Sequence, residues 1–116
     1  MNFVWVYAAA VPRDRKESFT THAREAAEMF KCAGALSVQE NWACEDVDGK
    51  LSSFPVAVGK ADDEDVVVGW VIWPDEDTAQ ACMASMEDDP KWQDMGERPH
   101  DGKRMLWGHF RPVLIS

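Results

Sequence analysis

Residues 99–112 read Pro99-His100-Asp101-Gly102-Lys103-Arg104-Met105-Leu106-Trp107-Gly108-His109-Phe110-Arg111-Pro112. The Asp101-Gly102 pair is a turn signal, and the residues after it are rich in strand formers. In an extended strand, one side carries Met105, Trp107 and His109, and the other carries Leu106, Gly108 and Phe110. Both sides are largely apolar, so the pattern predicts a strand that is covered on both faces.

Length and charge exclude several classes of protein. The chain has 116 residues, the size of one domain, and we expect residues 1–116 to form a single domain. Lys and Arg number 12 against 21 Asp and Glu, and the net charge of −9 repels nucleic acid phosphates and anionic lipid surfaces. No apolar run approaches the roughly 18 residues of a membrane helix, and Met1–Val6 lacks the basic region of a signal peptide. The sequence thus predicts a soluble cytoplasmic protein with no nucleic acid or membrane partner.

The cysteines give no sign of a metal site or a disulfide framework. Cys32, Cys44 and Cys82 are far apart, and no Cys-x-x-Cys motif or His at ligand spacing accompanies them. We expect reduced thiols that pack as small apolar side chains. No residue pattern indicates a haem, a flavin or another bound group, so no cofactor and no metal ion are predicted.

Apolar periodicity divides the rest of the chain into strands and helices. Alternating or continuous apolar runs predict strands over residues 2–11, 35–43 and 66–73, in addition to the last strand. Apolar side chains at helical spacing predict helices over residues 15–33 and 75–87. The predicted order of elements is therefore β-α-β-β-α-β.

This order is that of the ferredoxin-like fold, an α+β fold in which a four-stranded antiparallel sheet carries two helices on one face. Two helices with one apolar stripe each cover a single face, whereas three of the predicted strands are apolar on both faces. A second copy packed sheet against sheet by two-fold symmetry would cover the other face. We therefore expect a homodimer that forms a dimeric α+β barrel.

Glu40 is unusual because of the face on which it lies. Alternation directs its side chain to the same side of the second strand as Leu36, Val38 and Trp42. A carboxylate on an apolar face must pair, protonate or take part in chemistry, because burying it alone costs several kcal/mol. Two interpretations stay open: an acid or base in a binding site, or a structural group that lies at the sheet edge or meets an arginine.

Several motifs resemble those of one family. They are Asp101-Gly102-Lys103-Arg104-Met105 with Trp107-Gly108 and Phe110, Asp89-Pro90, Gly69-Trp70-Val71-Ile72-Trp73-Pro74, Gly34-Ala35-Leu36, Glu40 with Trp42, and Asp48-Gly49. Together they span nearly the whole chain and are similar to the DUF1428 family of uncharacterised bacterial proteins. The resemblance implies the dimeric α+β barrel architecture and no established activity. The chain differs from the family pattern at His100 and His109, where an aromatic residue and a glycine are expected.

The resemblance allows more than one function. One is the binding of a small aromatic or anionic molecule in a pocket of the barrel; the alternative is an enzyme similar to the cofactor-less monooxygenases or isomerases of the wider barrel superfamily. The predicted catalytic residues are Glu40, as acid or base, and His109, as base or proton relay. The predicted ligand-binding residues are Trp42, Trp70 and Trp107, as walls for a flat molecule, and Arg104, for an anionic group. A different hypothesis is a non-catalytic interaction module whose tryptophans form core and interface, so the sequence leaves open whether the protein is an enzyme.

Overall fold

The computed structural model describes residues 1–49, 51–95 and 101–116, and its elements follow the predicted order. The strands are β1 (Phe3–Pro12), β2 (Ser37–Trp42), β3 (Glu64–Trp73) and β4 (Leu106–Phe110). The helices are α1 (Lys16–Cys32), α2 (Phe54–Ala57), α3 (Glu76–Asp88) and α4 (Pro90–Gln93), with 3-10 turns at Arg13–Arg15 and Gly102–Arg104. No helix in the described part of the chain is both long and apolar enough to cross a membrane.

The four strands form one antiparallel sheet in the order β2-β3-β1-β4. The prediction of a ferredoxin-like α+β fold is therefore confirmed. β1 and β3 occupy the centre and pair over ten residues each, from Phe3 opposite Trp73 to Pro12 opposite Glu64. Their continuous apolar sequences suit this position, because a central strand has neighbours on both edges and packing on both faces.

One face of the sheet, which we call the helix face, carries α1 and α3. Trp5 and Trp73 are fully buried there and pack with Ala79 and Cys82 of α3 and with Phe30 of α1. A second cluster on the same face joins Ala9, Val11 and Val67 to Phe19 of α1. Sheet and helices together make a slab whose smallest extent is 22 Å, as expected for two layers.

The opposite face, which we call the open face, has two different halves. At one end, Val58 follows α2 and packs on Ala8, Ala10 and Val66. At the other end, five apolar side chains are partly or largely exposed: Val4 and Val6 of β1, Trp70 and Ile72 of β3, and Phe110 of β4. We call this second set the uncovered half.

The last strand is shorter than the stretch that predicted it. Asp101 begins a 3-10 turn, because its carboxylate accepts a hydrogen bond from the Lys103 amide at 2.9 Å, and β4 starts only at Leu106. Pro99 and His100 lie outside the described residues. Within β4, Trp107 and His109 lie on the helix face and Phe110 on the open face, as the alternation predicts.

Candidate functional site

Three residues on three neighbouring strands form a row across the helix face. Tyr7 of β1 lies opposite Gly69 of β3, and Gly69 lies opposite Glu40 of β2. We call these three residues the polar row. It lies between the two apolar clusters of the helix face, because Trp5 and Val71 lie on one side of it and Ala9 and Val67 lie on the other. It brings a phenol and a carboxyl group together between two apolar clusters.

The side chains of Tyr7 and Glu40 meet above Gly69. The Tyr7 hydroxyl donates a hydrogen bond to Oε2 of Glu40, and no other residue in the described ranges donates to this carboxylate. Burial raises the pKa of Glu40, and the hydrogen bond from Tyr7 offsets only part of that increase. Burial and the neighbouring Glu40 charge together raise the pKa of Tyr7, so the phenol stays protonated. Glu40 is therefore a carboxyl group suited to accept and release a proton nearer neutral pH than an exposed glutamate.

Gly69 provides the room in which these side chains meet. A Cβ atom at this position would lie 2.3 Å from Cε1 of Tyr7 and 2.5 Å from Oε2 of Glu40, far inside van der Waals contact. The backbone of Gly69 does not have a positive φ, so the glycine is explained by space and not by conformation. The close approach that a glycine within a strand indicates is thus the Tyr7–Glu40 pair itself.

Helix α1 is also made of small residues where it crosses the sheet centre. Phe19 packs on the cluster around Val67 and Phe30 packs on Trp5 and Trp73, so the helix segment between them passes over the polar row. The apolar stripe of that segment consists of alanines, at positions 23, 26 and 27. Glycine below and alanines above let helix and sheet pack closely around the Tyr7–Glu40 pair, and Ala23 packs against the cluster of Val67 and Phe19.

Trp42 lies on the same strand and the same face as Glu40. Its indole Nε1 donates to Oδ2 of Asp65 at 2.9 Å, and the Lys16 ammonium lies 5.1 Å from the ring centroid. A pocket of 170 Å³ lies near the end of β2, and Trp42, Phe54 and Val68 are among the residues that line it. That pocket is below the roughly 300 Å³ of small-molecule sites, so it is too small for most metabolites.

His109 and Trp107 are on the helix face but at the opposite edge of the sheet from Glu40. Nε1 of Trp107 donates to Nε2 of His109 at 2.9 Å, and the imidazole stacks on Trp5 with ring centroids 5.7 Å apart. Because β2 and β4 are separated by two strands, about 14 Å lies between Glu40 and His109 at strand spacings of roughly 4.8 Å. These two predicted catalytic residues therefore do not share one site, and the role of His109 stays a prediction.

Trp70 and Arg104 lie on the other side of the sheet. Trp70 belongs to the uncovered half, so it does not line the same cavity as Trp42 and Trp107. Arg104 forms a two-pronged ion pair with Glu64, with both N···O distances 2.8 Å, and also donates to Asp101 and to the Gly59 carbonyl at 2.7 Å. These bonds lower the pKa of Glu64 to about 2, and they leave the guanidinium little capacity for the anionic ligand that the sequence predicted.

Tyr7 is the site residue that the sequence did not reveal. Two signals pointed toward it: it is the single tyrosine of the chain, and it alternates onto the face of Phe3 and Trp5. Its partner depends on strand register across β1, β3 and β2, and register is not readable from one sequence.

The arrangement can be compared with known proteins. A family model described as a protein of unknown function, DUF1428, matches residues 2–102. The chain belongs to this family. It is 37% identical over 115 residues to the uncharacterized protein YbaA of Escherichia coli strain K12, covering 98% of both chains, and equally identical to that of Shigella flexneri.

Two solved structures resemble this one at low sequence identity. A dimeric ferredoxin-like protein from an uncultured marine organism has a TM-score of 0.61 and 15% identity, with 99% of this chain and 98% of the other covered. An uncharacterized NIPSNAP domain protein from Burkholderia xenovorans has a TM-score of 0.59 and 14% identity, with 98% and 97% covered. At such identities the similarity establishes the fold alone.

Proposed function

We propose that this protein binds a small molecule on the helix face, at the polar row of Tyr7, Gly69 and Glu40. The observation that carries the proposal is the part-buried Glu40 carboxyl, whose Oε2 accepts a hydrogen bond from Tyr7. A polar group of this kind has a cost in an apolar core, and a binding role explains why it is there.

The ligand that fits is a flat molecule that donates a hydrogen bond. Glu40 can only accept when ionised, and an anionic ligand would be repelled by it and by the net charge of −9. Trp42, two residues from Glu40, and Trp107, opposite Tyr7, offer aromatic surfaces on the same face. Aromatic amines, phenols and amides are therefore favoured over aromatic carboxylates.

A thermal-shift screen tests this function. Matched pairs such as aniline and benzoate derivatives are added at millimolar concentration to the native chain and to Glu40→Gln. At 100 times its Kd a ligand stabilises the folded state by about 2.7 kcal/mol, so donors should raise Tm by several degrees in the native chain and by much less in Glu40→Gln. Glu45→Gln, an exposed glutamate near the same strand, is the matched control and should respond like the native chain. Equal shifts by the carboxylates, or no shift by any donor, would contradict the proposal.

We further propose that the working form is a homodimer joined through the open faces, which completes the barrel. The isolated chain exposes 7731 Å², about 1,300 Å² more than a monomeric protein of this size. This excess is larger than the roughly 800 Å² per partner that a standard interface buries. The marine protein of similar fold is described as dimeric, which agrees with this assembly.

Sedimentation velocity tests the assembly. The native chain should sediment as a dimer at micromolar concentration, and Trp70→Lys should shift it toward monomer because a charge would enter the centre of the interface. Leu36→Lys, at an exposed position on the helix side of β2, is the control and should remain dimeric. A native chain that is monomeric at these concentrations would refute the assembly and leave the ligand proposal standing.

A second candidate is an enzyme that moves a proton within its ligand, as isomerases do. The raised pKa of Glu40 favours this activity, because a general base works best when its pKa is close to the working pH. Hydrogen–deuterium exchange of a bound carbon acid, followed by NMR, would be accelerated by the native chain and not by Glu40→Gln. Binding without exchange for every ligand found would leave the protein a binding module.

A further inference from the structure

The segment that follows β4 carries an unusual apolar surface. Arg111 is held in place by an ion pair with Glu76 and lies 5.8 Å from the centroid of the Phe3 ring. After it come Val113, Leu114 and Ile115, which are 102%, 81% and 69% exposed. Three successive aliphatic side chains in water are not typical of a monomeric surface, and such a patch marks an interaction site. We call residues 112–116 the arm.

The arm adjoins the uncovered half of the open face. Phe110, the last residue of β4, pairs with Val4 of β1, and Val4 pairs with Ile72 of β3. These three side chains form the outermost apolar row of the uncovered half, at the same end of the sheet from which the arm departs. The arm therefore begins two residues beyond Phe110 of the uncovered half, with Arg111 between them held on the helix face.

The edge of β4 is open to a partner as well. Strand edges in native proteins are commonly blocked by lysine, proline or a covering segment. Between Leu106 and Phe110 the strand has neither residue type, and it is paired on one side only within the described chain. Leu106 and Phe110 are 44% and 55% exposed, so this edge is apolar as well as unpaired.

We propose that the arm of each copy packs against the uncovered half of a second copy and so clasps the dimer. The inference rests on the homodimer proposed above and adds which segment secures it. The covered half is occupied by Val58 and α2, so two open faces can meet closely only through their uncovered halves. Each arm starts at the end of that half, and in a two-fold interface the two arms make equivalent contacts with the partner. The occupant is a second copy because the surface excess of the chain exceeds what the sheet faces of a standard interface would bury.

A charge introduced on the arm tests the proposal. Leu114→Asp and the control Leu36→Asp both alter exposed leucines, so neither should affect the fold of the protomer. We expect the dimer Kd from sedimentation equilibrium to rise at least tenfold for Leu114→Asp and less than twofold for Leu36→Asp. Equal Kd values for Leu114→Asp and the native chain, with the native chain dimeric, would overturn the arm proposal and leave the homodimer standing. A monomeric native chain would overturn both.

Hydrogen exchange gives a second readout that does not depend on a variant. The amides of residues 113–115 should exchange at least tenfold more slowly at concentrations above the dimer Kd than below it. The same rate at both concentrations would overturn the proposal, whether the amides are open throughout or protected throughout by their own chain.

Discussion

Replacing Gly69 with alanine tests the polar row most directly. A Cβ atom would lie 2.3 Å from Tyr7 and 2.5 Å from Glu40, and the ring of Tyr7 packs against the cluster that contains Ala9 and Phe19. Neither neighbour can move aside without breaking the Tyr7–Glu40 hydrogen bond. The clash and the lost hydrogen bond should together cost about 2 to 3 kcal/mol. Alanine returns about 0.5 to 1 kcal/mol, because glycine loses more conformational freedom in a strand.

The expected result for Gly69→Ala is a net destabilisation of about 1 to 2 kcal/mol, measured by urea denaturation as a lower midpoint with an unchanged slope. Gly108→Ala is the control: its Cβ would lie 2.7 Å from the Phe110 ring, but that ring is 55% exposed and can swing away. Both variants should be compared with the native chain in the same oligomeric state. If Gly69→Ala stabilised the protein, that result would refute tight packing of the polar row.

Four further results are expected. The pKa of Glu40 is raised above 4.5 in the folded protein, so its contribution to stability is present below pH 4.5 and is lost as the pH rises through its pKa in the folded protein. In urea denaturation, Glu40→Gln should therefore gain stability relative to the native chain from pH 4 to pH 7. A difference that stays constant over this range would contradict the prediction. Arg104→Ala leaves the buried Glu64 carboxylate without its ion-pair partner and should cost about 2 to 4 kcal/mol in the same assay, whereas Arg13→Ala, whose ion pair is more exposed, should cost much less. Because the pKa of Glu64 is lowered to about 2, the stability of the native chain should decrease as the pH is lowered from about 4.5 to about 2. This decrease should be smaller in Arg104→Ala. His109→Gly should leave the sedimentation of the native assembly unchanged, because its ring stacks on Trp5 on the helix face; dissociation would show that His109 belongs to the interface.

The sequence predicts the sheet well because its strongest signals are those that decide topology. β1 and β3 are apolar on both sides and lie at the centre of the sheet, and the positions of α1 and α3 agree with their apolar stripes to within a few residues. The same pattern did not predict the position of β4, which is an edge strand with largely exposed side chains. The sequence predicts less where a short segment depends on distant contacts. The run Phe54–Val58 contains Pro55 and indicates only an edge segment or turn, whereas its helix is explained by Ser53, which accepts a hydrogen bond from Val56, and by Val58 packing on the sheet.

The candidate site was predictable in part and for a definite reason. Alternation alone is enough to direct Glu40 to the apolar face, and Gly69 indicates a close approach. Their connection through Tyr7 requires the register of three strands, and register depends on long-range pairing. The distance between Glu40 and His109 follows from topology, because the ferredoxin-like order puts β2 and β4 at opposite edges.

Arg104 also has a consequence for assembly geometry. It fastens the Gly59 carbonyl and Glu64, and so it holds the chain on either side of residues 60–63 against the sheet, with Val58 next to it. These hydrogen bonds hold α2 at a fixed distance from the open face. In the proposed homodimer, α2 in turn limits how closely and at what offset the second protomer can approach. A change at Arg104 should therefore alter the spacing between protomers even though the residue lies far from the Tyr7–Glu40 pair. In the proposed homodimer, the Asp101–Met105 motif therefore acts through the shape of the assembly.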